Sequence, residues 1–157
     1  QLPLDGPWRN MQIVQNKNYV VIYGEYHTSL RIVRLNSQHF EPAFPKFFGD
    51  SIGSWDGNTL VVKTKSFKPD QSNRRLRSSE LLEVTERYTP ISDREMVLEF
   101  EISDSKIYSE VIKSRLTLQR MPAGQRLYES GCHEGNYSLP GILAGARRQE
   151  IEASLPR

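Results

Sequence analysis

The sequence is short of the groups that build a covalent or metal framework. Of 157 residues one is cysteine, Cys132, and three are histidine, at positions 27, 39 and 133. A lone thiol excludes an internal disulfide network and any zinc module made of cysteines. No apolar run approaches the roughly 18–20 residues of a membrane-spanning helix, so no span is expected. An excess of one charge is missing too. Twenty-one basic residues stand against 19 acidic ones, a net charge of +2, which is too even for a nucleic-acid partner. There is no GxSxG elbow, no phosphate-binding glycine loop and no dinucleotide fingerprint, so no cofactor is expected.

What is present fits one globular domain over residues 1–157, with 37% hydrophobic and 25% charged residues. The chain begins at Gln1 and not at Met, which is expected of a cleaved signal peptide or of a trimmed terminus. Residues 1–10, with two prolines and a glycine, read as an N-terminal arm.

Period-two alternation dominates the middle of the chain. Runs rich in β-branched and aromatic residues predict strands over 19–23, 30–35, 51–56, 59–67, 81–88, 95–102, 111–121 and 126–132. Asp56-Gly57-Asn58 marks a hairpin between two of them. About eight or nine strands with short connections predict a mainly β fold, a single antiparallel lipocalin-like β-barrel. One helix is expected over 139–153, with Pro140 in its first turn and Ile142, Leu143, Ala146 and Ile151 forming a stripe that packs across the barrel. The aromatic stretch His39 to Gly49 is expected to lie over an opening or an edge. The basic stretch Lys68 to Ser79 is expected to be the most mobile.

Charged residues in phase with apolar ones point to a site. Tyr19, Val21 and Tyr23 run on in phase to Glu25 and His27. Leu82, Val84 and Tyr88 share a face with Glu86, and Leu127 is in phase with Glu129 and His133. The face of Met96, Leu98, Phe100 and Ile102 is wholly apolar. If these faces turn inward, an apolar pocket holds a few convergent polar groups, the usual form of a ligand site. The opposing reading is that a one-residue slip sends each group to solvent, or that Glu86 pairs with Arg87 or Arg115. Three imidazoles, His27, His39 and His133, with a carboxylate would suit a transition metal, although their spacing matches no metal motif. Cys132 and His133 are neighbours on a strand and face opposite ways, so a thiolate pair between them is not expected.

Three stretches carry a resemblance. They are Gly49 to Val62 with its Gly53-Ser54-Trp55-Asp56-Gly57-Asn58-Thr59-Leu60 core, Ser79 to Tyr88, and Tyr128 to Tyr137 followed by Ile142 to Arg147. Together they resemble a widespread bacterial family of small, often exported proteins, over about Gln12 to Glu150. The resemblance implies that Glu86, Arg87, Glu129, Cys132, His133, Glu134, Asn136 and Tyr137 matter together, and it implies a secreted or periplasmic location. It implies no activity. Gly53-Ser54-Trp55 also has a fainter likeness to the Gly-x-Trp triplet of lipocalins.

Three functions follow as expectations. The first is a cofactor-independent lyase, isomerase or cyclase acting on a small hydrophobic molecule. His133 with Glu86, Glu25 and His27 would be its acid–base groups, and Tyr26, Asn136 or Tyr137 would donate to a developing oxyanion. Tyr23, Trp55, Tyr88, Phe100 and Glu129 complete the expected substrate contacts. The second is an exported carrier of the same kind of ligand without turnover. The third is a metal-dependent enzyme using the histidines.

Overall fold

The computed structural model describes residues 10–25, 29–68, 77–128 and 137–154. Eight strands form one sheet in chain order. They are β1 (Met11–Gln15), β2 (Tyr19–Gly24), β3 (Ser29–Leu35), β4 (Asp50–Asp56), β5 (Thr59–Lys65), β6 (Glu83–Pro90), β7 (Glu95–Ser103) and β8 (Ile112–Gln119), followed by one helix, α1 (Ser138–Ser154). The mainly β class and the terminal helix agree with the alternation in the sequence.

The sheet curls because only one of its faces is apolar enough to bury. Its inward row runs Val20, Val33, Ser51, Thr64, Val84 and Ile102, each paired to the next across neighbouring strands. A second row runs Gly53, Val62, Glu86 and Phe100. All ten of these residues are buried. Arg31 on β3 meets Glu86 on β6, three strands away. In a flat sheet those strands would lie roughly 14 Å apart, so the contact is made across the concave face of a half-barrel. The curl stops short of closure: among the described strands, β1 pairs only with β2 and β8 only with β7.

Several expectations are corrected. Met11–Gln15 is a strand that the sequence reading passed over. One pair is parallel, not antiparallel: β3 beside β4, with Val33 opposite Ser51 and Leu35 opposite Gly53. The aromatic stretch is the cause, because the connection from Asn36 to Gly49 is long enough to turn the chain round twice, so that β4 starts beside the last residues of β3 and runs the same way. Gly53 stands opposite Leu35 in this pair. A Cβ there would come within 2.8 Å of Val33, so the glycine of the Gly-x-Trp triplet answers a packing need. Residues 126–128 of the expected last strand are not strand, and the rest of that segment lies outside the described residues. The basic stretch is described only at Lys68 and from Arg77 onward. Ser78 and Ser79, at its end, are buried, and Asp104 accepts from the hydroxyl and the N–H of Ser79.

The phase of β2 is also reversed. Val20 and Ile22 point inward, while Tyr19, Val21 and Tyr23 form the outer face. Both faces of this strand are apolar, and alternation alone does not choose between them. Finally, α1 does not pack across the barrel, since none of its described residues is buried.

Candidate functional site

The concave face offers one buried polar cluster and one open cleft, and they differ in how their charges are satisfied. In the cluster, the Arg31 guanidinium donates to both oxygens of Glu86, at 2.6 and 3.0 Å. It also donates to the Tyr88 hydroxyl at 3.0 Å, and that hydroxyl donates in turn to Glu86 Oε1 at 2.9 Å. Arg31 is 6% exposed, Glu86 1% and Tyr88 4%. A bidentate fork of this kind is the geometry that lets an arginine–carboxylate pair survive out of water. Burial would lower the Arg31 pKa, but Glu86 and Tyr88 outweigh it and raise it. Burial first, then the Glu86 charge, pushes the Tyr88 phenol well above its usual range. The cluster has no free carboxylate oxygen for a substrate. Glu86 is therefore paired, as one reading expected, but with Arg31 and not with Arg87 or Arg115.

A second network holds the β3–β4 connection. Asp50, 4% exposed, accepts two hydrogen bonds from Arg34 at 3.0 Å and one from the Phe40 N–H at 3.1 Å. Its Oδ2 also meets His39 Nδ1 at 3.1 Å, and Lys46 Nζ lies 3.5 Å from Oδ1. Arg34 and Lys46 both sit against the Phe40 ring, at 3.8 and 4.4 Å from its centre. Burial alone would raise the Asp50 carboxyl, but the Phe40 N–H, His39 and Arg34 together hold it below the usual carboxylate range. Such a carboxylate orients an imidazole and leaves its other nitrogen to take a proton or a metal ion. Among the described residues no three metal-binding side chains converge.

The cleft lies where the half-barrel fails to close, between β1 and the end of the β7–β8 hairpin. It encloses about 1230 Å³. Its walls include Met11 and Ile13 from β1, Met96 from β7, Leu118 from β8, and Met121 and Leu127 beyond β8. These three methionines are all the methionine in the chain. Glu25 stands beside the cleft: its Oε2 accepts from Nδ2 of the lining residue Asn10 at 2.6 Å, and its Oε1 from the Tyr128 N–H at 2.8 Å. Those two bonds hold its pKa below the ordinary value.

The expected site residues are thus dispersed. Tyr23 lines the cleft and Glu25 adjoins it. Glu86, Tyr88 and Phe100 belong to the buried interior. Trp55, 46% exposed, and Tyr137, 81% exposed, face solvent. His39 is on Asp50. Tyr26, His27, Glu129, Cys132, His133, Glu134 and Asn136 lie outside the described residues. Sequence reasoning missed Arg31, Asp50 and the methionines. A signal for the last existed, since Met96 heads the apolar face of β7, but Met11 and Met121 sit in segments not read as its partners.

Comparison with family models, with curated proteins and with solved structures finds no match to this chain. No helix among the described residues is long and apolar enough to cross a membrane.

Proposed function

We propose that this chain binds a small, largely apolar molecule in the cleft between β1 and β8. The gathering of every methionine in the chain on that one cleft is the observation that carries the reading. Methionine is unbranched and polarisable, and it recurs on surfaces that must fit an apolar guest without a rigid template. The cleft is of the order of ligand pockets or a little larger, which typically measure about 300–1,000 Å³. Native mass spectrometry of gently purified protein should find a retained apolar molecule, and adding that molecule to stripped protein should raise the melting temperature. Met96→Glu places a charge in the wall at a half-buried rim position, so it should abolish retention while leaving the fold intact. Retention undiminished in that variant would overturn the assignment of the cleft.

Turnover of the bound molecule by acid–base chemistry is the second reading. The Glu25–Tyr128 hydrogen bond favours it, because it joins the stretch that leads to His27 with the stretch that leads to His133, beside the cleft. On this reading His133 moves the proton, and Glu25 with His27 supports it. Glu86 drops out of that role, since Arg31 and Tyr88 already occupy both its oxygens. Incubation in deuterium oxide should then exchange a carbon-bound hydrogen of the retained molecule, and His133→Ala should stop the exchange without releasing the molecule. Exchange at the same rate in that variant would leave plain carriage. A secreted or periplasmic location belongs to the same proposal, and fractionation of a producing cell tests it.

A further inference from the structure

The inward face of the β7–β8 hairpin changes character in register. Opposite pairs step outward along it: Phe100 with Ser114, Leu98 with Leu116, then Met96 with Leu118. The next pair in the same phase is Arg94 with Arg120, and the backbone confirms the pairing, since the Arg120 N–H donates to the Arg94 carbonyl at 2.7 Å. Both arginines line the cleft, as does Arg126, just past the turn that follows β8. Among the described residues none of these three guanidinium groups is in an ion pair or a side-chain hydrogen bond. Of the other described arginines, Arg31, Arg34, Arg87 and Arg148 are in ion pairs with Glu86, Asp50, Asp56 and Glu152; Arg94, Arg120 and Arg126 differ from the rest in lining one cleft together.

Two carboxylates, Asp93 and Glu95, also line the cleft. Asp93 lies with Arg94 in the bend before β7, and Glu95 is the first residue of that strand. Neither pairs with any of the three arginines. With Glu25 beside the cleft the carboxylates equal the arginines in number. Glu25, however, is already held by Asn10 and the Tyr128 N–H, and the three guanidinium groups keep their donors for a guest, next to an apolar wall. A neutral apolar guest would gain nothing from those donors. A guest with an acidic head would place it between guanidinium forks, which match a carboxylate or phosphate in a planar, bidentate way.

We infer that the ligand is an amphipathic anion, with its apolar body against Met96, Leu118 and Met11 and its acidic head at Arg94, Arg120 and Arg126. This rests on the proposal that the cleft is the binding seat and adds the chemical class of what sits there.

Decanoate and decanol, matched in chain and different in head, provide the test, with binding to the full chain measured by calorimetry at low salt. Decanoate is expected to bind at least tenfold more tightly than decanol, and raising the salt should shrink that advantage. In Arg94→Gln/Arg120→Gln, two exposed positions, decanoate should fall to the level of decanol, and decanol should be unchanged. Equal binding of the two by the unaltered chain would overturn the anionic class and leave the cleft standing as an apolar seat. An advantage for decanoate that survives the double substitution would overturn the placement of the head. Failure of both molecules to bind, or binding of both that Met96→Glu does not disturb, would overturn the cleft and this inference with it.

Discussion

The middle of the sheet and its open edge handle charge in opposite ways. At the centre, Arg31 and Glu86 are buried and spend their charges on each other and on Tyr88. At the edge, Arg94, Arg120 and Arg126 reach the cleft, with no carboxylate among the described residues paired to them. Both regions would look alike to a rule that flags charged residues on apolar faces. The difference is that a closed network consumes its own hydrogen-bonding capacity and an open one keeps it for a ligand. Polar residues in a core mark a site only when something about them is left over.

The largest effect tests the closed half of that contrast. Arg31→Met leaves the Glu86 carboxylate buried without its cation, and the expected cost is about 3–5 kcal/mol in chemical denaturation. The double variant Arg31→Met/Glu86→Leu removes both charges together and should recover most of that loss. A double variant as unstable as the single one would mean that the pair stabilises the fold outright.

The Asp50 network should come next. Asp50→Asn keeps the shape but loses the charge that Arg34, His39 and Lys46 gather round, and hydrogen bonds to a charged group are the stronger kind, so the expected loss is about 2 kcal/mol. Its pH dependence has a definite sign. The folded-state pKa of Asp50 is depressed, so its stabilisation is complete above the ordinary carboxylate value of about 3.9 and is lost as pH falls through the lower folded value. Acid titration of stability in the unaltered protein should therefore fall below about pH 4, and Asp50→Asn should flatten that limb. An unchanged acid limb would assign it to other carboxylates.

The fold was legible where one face of a strand is apolar and the other is not. Leu82 just before β6, Val84, Glu86 and Tyr88 on it, and Leu98, Phe100 and Ile102 on β7, fall inward as their alternation requires. It was illegible where both faces are apolar, as in β2, and where a long connection hides a change of strand direction, as between β3 and β4. Of the site, Tyr23 and Glu25 do adjoin the cleft, but not through the inward phase expected of them, since theirs is the outer face of β2. The partner of Glu86 could not be picked out, because Arg31 is 55 residues away in sequence and comes near only when the sheet curls. The methionine wall was hidden for the same reason, since β1 and β8 are the two ends of the sheet and only curvature brings them to one cleft.

At the cleft itself the predicted effect is on binding more than on stability. Met96 is only partly buried, so Met96→Glu should cost about 1 kcal/mol or less in folding. Its effect on ligand affinity should exceed tenfold, which corresponds to about 1.4 kcal/mol. A matched substitution at the closed centre, Phe100→Ala, should show the reverse, a large loss of stability with weaker binding only in proportion to unfolding.

The smallest expected effect concerns α1, which contrasts with both regions because it is joined to neither. It has 17 residues and none is buried; Leu139, Ile142, Leu143 and Ile151 range from 49% to 67% exposed. An isolated helix of this length is marginal in water, and Gly141 and Gly145 cost it roughly 1 kcal/mol each relative to alanine. Its internal ion pair among the described residues is the exposed Arg148–Glu152 pair of the i,i+4 kind, worth about 0.3–0.5 kcal/mol. A helix that buries nothing against the sheet contributes no apolar area to its stability. Ending the chain after Tyr137 should therefore change the free energy of unfolding by about 0.5 kcal/mol or less, with the helical signal in circular dichroism lost and the strand signal kept. A loss of several kcal/mol would show that α1 packs on the half-barrel in solution, and its apolar stripe would then compete with the ligand for the open side of the sheet.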